Sequence, residues 1–373
     1  MSGGKNRLLF TCFYAFFYCG IVMLSIGSSL PDLSSAYGLD YSMRGALLSC
    51  YSLGNLASGI ICGLSCVYFG QRVAAVILTL SVCAGMSLLT LSGLPFLLFT
   101  ACMLIGLGRG SLITFSQASV SLLTGGRPRT TAMLHAAFAG GAILAPLMFS
   151  ALRVIDWRCG LWVAGVLGCV CAGLFAGVRD YPERAASSGK SLAFLRDKGF
   201  MLTGALMFLY LCCEFAVNGW LVTYMTHKDM TMNYSQAMAA LLWVVILAGR
   251  LFCAWVSRYV EQKKLLFMSS FGACAAFGGM LLSEGRVPVA VSVACLGLCM
   301  SGISPILYAS SAPFSNKYPM AMGVLFTIGC TGGTLMPLIT GIIAERSGFD
   351  GGMSMILGAF VLLVIFSAVN LKK

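Results

Sequence analysis

The sequence predicts an all-α membrane protein: twelve transmembrane helices arranged as two pseudo-symmetric six-helix bundles. Three observations lead there. Hydrophobic residues make up 59% of the 373 residues and charged ones only 10%, with a mean hydropathy of +0.91, far outside the composition of a water-soluble globule. The apolar residues come in continuous runs of about 20 or more, the length a helix needs to cross a hydrocarbon core, rather than in the short alternating segments of a β-barrel. Finally, a polar connection, "VRDYPERAASSGKSLAFLRDKG" at 178–199, leaves six such runs on either side.

The runs place spans at 8–30, 44–66, 73–92, 96–123, 132–152, 159–178, 200–226, 237–256, 265–283, 288–311, 320–343 and 352–371. Both termini then fall on one side. With that side cytoplasmic, sixteen basic residues lie in inner segments, Lys5, Arg7, Arg72, Arg127 and Arg129 among them, and six lie in outer ones: Arg44, Arg153, Arg158, Lys228, Arg286 and Arg346. This excess of Lys and Arg inside is the usual signature of orientation, and it predicts a multi-pass protein of the cell (inner) membrane with both ends in the cytoplasm. The formal charge of +12 therefore reports topology, not nucleic-acid binding. The seventeen cysteines lie almost entirely inside apolar runs, with no CxxC pair and no His/Cys ligand cluster; they read as small core residues, which predicts neither a disulfide framework nor a metal site. The first apolar run is long and lacks a small-residue cleavage site, unlike a secretory leader.

The connection at 179–199 divides the chain into an N-terminal bundle, 1–178, and a C-terminal bundle, 200–373. Internal repetition supports the division. "SGIICGLSCVYFGQR" and "AGRLFCAWVSRYVEQK" place Gly59 and Gly249 190 residues apart, and "GGAILAP" and "GGTLMP" place Pro146 and Pro337 191 apart, each late in the fifth helix of its half. Parallel repeats of six helices with a site at the midplane are a recurrent transporter plan.

On these residues the chain resembles the major facilitator superfamily over its whole length. The loop signature of that family, roughly GxxxDxxGRR between the second and third helices, stands here as "GLSCVYFGQR": Gly63, Gly70 and Arg72 are kept and Val67 replaces the acid, with Ser257 at the equivalent place in the second half. The resemblance assigns a gating role to Gly63, Gly70, Arg72 and Arg250, and the missing acids imply a weaker cytoplasmic latch. "LHAAFAGGAILAP" (134–146), "GLGRGSLITFSQ" (106–117) and "YLCCEFAVNGWLVTY" (210–224) are more similar to the fucose-permease branch of sugar symporters than to drug exporters. The chain departs from that branch at Gln117, where an asparagine is usual, and in its first span, which has no acid before Asp32. In the family the first, fourth, seventh and tenth spans line the cavity.

Glu214 is the only acid placed deep in a span. A carboxylate there is expensive, so such groups face a cavity, a partner or a proton path. On a helix Tyr210, Val217, Asn218 and Leu221 flank it, which gives Glu214, Asn218 and Tyr210 as solute-binding candidates and Glu214 as the proton carrier; the alternative is a hydrogen bond to a neighbouring helix. Arg109 is the most central base, and Gln117, toward the edge of its face, is a further solute-binding candidate. Arg109 either holds solute or pairs with Glu214, or it bonds carbonyls freed among the glycines of "GLGRG". Tyr14, Tyr18 and Tyr308 either stack on sugar rings or pack. His135, one turn inside the fifth span, is a second proton-coupling candidate or a packing residue, and Arg250 reads equally as structural. The glycines of "GLGRG", "SGIICG" and "GCTGG" read as close helix contacts, and "NYS" at 233–235 is a glycosylation pattern on an outer loop.

These features predict a secondary transporter that imports a small polar solute, a sugar, by proton symport with alternating access, acting as a monomer in the lipid bilayer without cofactor or nucleic acid. Nothing resembles a nucleotide-binding loop, and His135 and His227 lie at opposite mouths, too far apart for an enzyme's site. Two alternatives stand beside it: carriage of an organic anion or sugar acid, with Arg109 holding the carboxylate, and a sensor that kept the fold and lost transport.

Overall fold

The computed structural model describes residues 2–125, 128–178, 180–181, 193–257, 259–311, 314 and 321–372. The described chain is almost entirely helical: α1 (Ser2–Tyr37), α2 (Tyr41–Leu91), α3 (Pro95–Thr124), α4 (Pro128–Leu152), α5 (Cys159–Ala176), a 3-10 turn (Ala193–Arg196), α6 (Lys198–His227), α7 (Met232–Val256), α8 (Gln262–Leu282), α9 (Arg286–Met300), α10 (Ile303–Ser310), α11 (Ala321–Ser347) and α12 (Phe349–Lys372). Eleven of the described helical segments are long and apolar enough to cross a membrane. One of them, α2, has 51 residues, about 76 Å at 1.5 Å per residue, more than twice the thickness of a hydrocarbon core. It is two spans joined at a corner: Gly70 has φ 78 and ψ 158, a backbone region open essentially only to glycine. The sequence places a short loop at 67–72, whereas helix runs right up to this single residue. Conversely α9 and α10 share one span, Arg286–Ser310, interrupted at Ser301–Gly302. Pro305 explains the break, because its ring clashes with the carbonyl four residues back, that of Ser301.

The chain forms two compact units, residues 1–184 with 231–240, and residues 185–230 with 241–373. Residues 231–240, which an even division at 179–199 assigns to the second half, pack with the first unit: Gln236 Nε2 donates to Ser28 O at 2.8 Å and Ser150 Oγ to Asn233 Oδ1 at 3.0 Å.

Close helix contact in the first unit rests on glycine. A Cβ on Gly106 would fall on Tyr51 O, one on Gly110 on Ser58 Oγ and one on Gly108 on Leu78 O, so α3 lies directly against both arms of α2; Gly20 and Gly141 do the same for α1 and α4. "GLGRG" is thus a packing stripe, as is "GCTGG", where Gly332 meets Phe208 O on α6. "SGIICG" is not, since nothing lies within 4 Å of a Cβ on Gly59 or Gly63. Gly106→Ala should therefore push α3 off α2 and lower stability by about 1–3 kcal/mol, as overpacking does, whereas Gly59→Ala should be nearly silent; thermal unfolding of the purified variants compares them.

Each unit is fastened at its ends. In the first, Arg153 Nε meets Asp32 Oδ1 at 2.8 Å, Tyr37 donates to Leu89 O at 3.2 Å and Trp162 Nε1 to Thr90 Oγ1 at 3.2 Å. In the second, Lys228 Nζ donates to Leu281 O at 2.7 Å, and the His227 ring stands edge-on to Phe349 at 5.1 Å. Asp197 caps α6, its Oδ1 accepting from Gly199 N and Phe200 N at 2.7 and 3.1 Å. All seventeen cysteines are free thiols.

Candidate solute and coupling sites

Arg109 sits on α3 with only 5% of its surface exposed. Its Nε donates to Cys19 O on α1 at 3.3 Å and its Nη1 to Asn55 Oδ1 on α2 at 3.1 Å. The guanidinium also lies 5.9 Å from the centroid of the Tyr51 ring and 5.5 Å from that of Phe138. Gly106 and Gly110 let α3 come near enough for this reach. Among the described residues of the first unit no acid forms an ion pair with it; instead a carbonyl, an amide oxygen and two aromatic faces share the charge. Asn55 is a partner that the sequence reading missed. Its signal was present, since it is a lone asparagine inside an apolar span, where polar side chains seldom lack a role.

In the second unit Glu214 is half-buried near the middle of α6. One turn before it, the buried Tyr210 hydroxyl donates to Met300 O at 3.4 Å, at the α9–α10 break. Around that hydroxyl stand Ser304, Tyr308 and the charges of Glu214 and Arg250. Tyr308 in turn lies within electrostatic range of Glu214 and of Cys330 on α11. One turn after Glu214, Asn218 is buried and its Oδ1 accepts from Trp243 Nε1 on α7 at 3.0 Å. Because an indole N–H only donates, this bond fixes which way the amide faces. Glu214, Tyr210 and Tyr308, chosen from sequence, are thus gathered in one cluster, with Asn218 on the same helix face; Ser304 and Trp243 join them and were not legible, because each comes from a distant element.

The remaining candidates are scattered. Tyr18 is fully buried, with its hydroxyl against Gly168 of α5, and Tyr14 donates to Leu167 O at 3.1 Å, so both rings lie in the α1–α5 contact. Gln117 is exposed on α3. His135 is half-buried, edge-on to Phe16 at 5.6 Å. Arg72 is exposed, and its charge reaches Tyr181; burial holds that phenol above its ordinary range while Arg72 pulls the other way, so it stays neutral.

Two helical units, a corner glycine between the second and third spans and polar clusters at mid-span are the plan of a membrane transporter built from repeats. The chain belongs to the Major Facilitator Superfamily, whose family profile matches residues 10–312. Among curated relatives it is similar to Membrane protein MosC of Rhizobium meliloti, 22% identical over 370 residues covering 98% of this chain and 90% of that one. It is also similar to Protein TsgA of Shigella flexneri, 21% identical over 276 residues, 70% of this chain and 69% of that protein. Among solved structures, a bacterial homolog of the human lysosomal transporter Spinster, in an inward-facing and occupied conformation, superposes with a TM-score of 0.80 at 14% identity, covering 98% and 96% of the two chains. The nucleoside transporter NupG does so at 0.76 and 13% identity, covering both chains entirely. At these identities the structures speak for the fold.

Proposed function

We propose that this transporter imports a small hydroxylated solute of the sugar class by proton symport, with Glu214 carrying the proton. The carrying observation is the cluster at the middle of α6: one carboxyl among the hydroxyls of Tyr210, Ser304 and Tyr308, which can exchange hydrogen bonds with sugar hydroxyls and change charge on protonation. The three stretches similar to the fucose-permease branch support the sugar class. The anion reading has less support, because Arg109 already gives Nε and Nη1 to partners in its own unit. The sixteen-to-six distribution of basic residues supports a reading in which both termini face the cytoplasm from the cell membrane; in the same reading the protein works as a monomer.

Proteoliposomes holding an inside-alkaline pH gradient, offered labelled L-fucose, D-galactose, D-glucose and their uronic acids, test this. The expected result is accumulation of a neutral monosaccharide that a protonophore abolishes. Accumulation of uronates alone, or uptake indifferent to the gradient, contradicts it.

A further inference from the structure

Two arginines lie within spans, and their surroundings differ. Arg109 is satisfied in the way a structural arginine is, by a carbonyl and an amide oxygen. Arg250, on α7, is not. Its Nε is buried without a hydrogen-bond partner, and among the described residues no carboxylate lies within ion-pair distance of it. Arg250 as a whole is half-buried, but a buried charged donor without an acceptor is costly, so this nitrogen calls for an explanation other than packing.

The explanation lies in what surrounds it. The residues on either side of Arg250 are pressed onto the α9–α10 break: a Cβ on Gly249 would stand 2.5 Å from Ser301 Oγ, and Cys253 Sγ lies 3.6 Å from the same oxygen. Gly302 completes the contact, 2.7 Å from Cys253 Sγ by the same measure. The Tyr210 hydroxyl reaches that break from α6, at Met300 O. The break therefore brings Arg250 and Tyr210 to one point, and Tyr210 stands one helical turn from Glu214 on the same face. The charges of both Glu214 and Arg250 bear on the Tyr210 hydroxyl. The other groups around it are the hydroxyls of Ser304 and Tyr308, with Cys330 beyond Tyr308. A broken helix beside a mid-membrane site is where transporters place their coupling groups.

We propose that Arg250 is the positioning cation for Glu214: the guanidinium, with the Tyr210 hydroxyl between, balances the carboxylate, and protonation of Glu214 leaves Arg250 free to turn to another acceptor. The resemblance gives Arg250 a gating role in the loop motif, not a part in coupling. The proposal rests on Glu214 as the proton carrier, but its test does not need the solute.

The test is a double-mutant cycle read as melting temperature of the purified protein: wild type, Glu214→Gln, Arg250→Gln and the double variant. Removing the cation beside a buried acid should cost stability that is largely recovered once the acid is neutral. Arg250→Gln is thus expected to lower the melting temperature by several degrees with Glu214 present and by clearly less in the Glu214→Gln background, while Arg250→Lys, which keeps the charge, retains most of the wild-type value. If Arg250→Gln alone fails to fold, its recovery in the Glu214→Gln background is the same result. Additive losses, failure to fold in both backgrounds, or a Lys variant as damaged as the Gln one would overturn the proposal. Failure of the wild type to accumulate any sugar would instead contradict the transport reading and leave the cycle to be judged on its own.

Discussion

Glu214→Gln is expected to abolish accumulation of solute against a gradient while sparing exchange of bound for free solute. The substitution keeps the shape and most of the hydrogen-bonding capacity of the side chain and removes only its ability to take up a proton. Net uptake by symport requires that the carrier return without its proton, whereas exchange never leaves the loaded state. The expected loss of accumulation is complete, with exchange within a few-fold of wild type, by labelled-solute flux in proteoliposomes. A parallel fall in both activities would make Glu214 a solute-binding residue alone.

The second large effect is on stability. Arg109→Ala removes a buried guanidinium and leaves Cys19 O and Asn55 Oδ1 without their donor. Hydrogen bonds to charged groups contribute about 1.5–3 kcal/mol each, so a loss of about 3 kcal/mol or more is expected, enough to lower the yield of folded protein sharply. Asn55→Ala, which removes one of the two bonds, should lose less. The measurement is thermal or denaturant unfolding of the purified variants. An Arg109→Ala protein as stable as wild type would contradict the structural role and return Arg109 to the solute. Combining Arg109→Ala with Glu214→Gln separates the roles further: additive losses leave Arg109 as a fastener of its own unit, and recovery in the double variant restores the pairing that the sequence suggests.

The spans were legible because a bilayer demands about 20 apolar residues in a row; the observed helices match those runs in order, although α1 (Ser2–Tyr37) overruns 8–30 at both ends and α2 (Tyr41–Leu91) joins two of them. The corner at Gly70 was half legible: the glycine stands out in its motif, but its φ of 78, and hence the absence of a longer loop, is a property of backbone geometry. Glu214 was legible as a candidate because a lone mid-span acid has few bland explanations. The two arginines were not legible in their differing surroundings. Sequence places Arg109 among glycines and Arg250 after one, and only the neighbours contributed by α1 and α2 in one case, and by the α9–α10 break in the other, separate an Nε with an acceptor from one without. Tyr18 shows the same limit, since helix periodicity names a face but not the helix that covers it, and here Gly168 of α5 does.

The account stands on Glu214 moving a proton with each solute, and solute-driven proton flux reads that directly. Monosaccharide added to proteoliposomes of the wild-type protein, with no imposed gradient, should carry protons inward and alkalinise the medium outside, seen with an external pH indicator. Glu214→Gln proteoliposomes, containing protein shown by exchange to bind the same sugar, should give no pH change. A full alkalinisation with the Gln variant would contradict the account and place the coupling proton on another group.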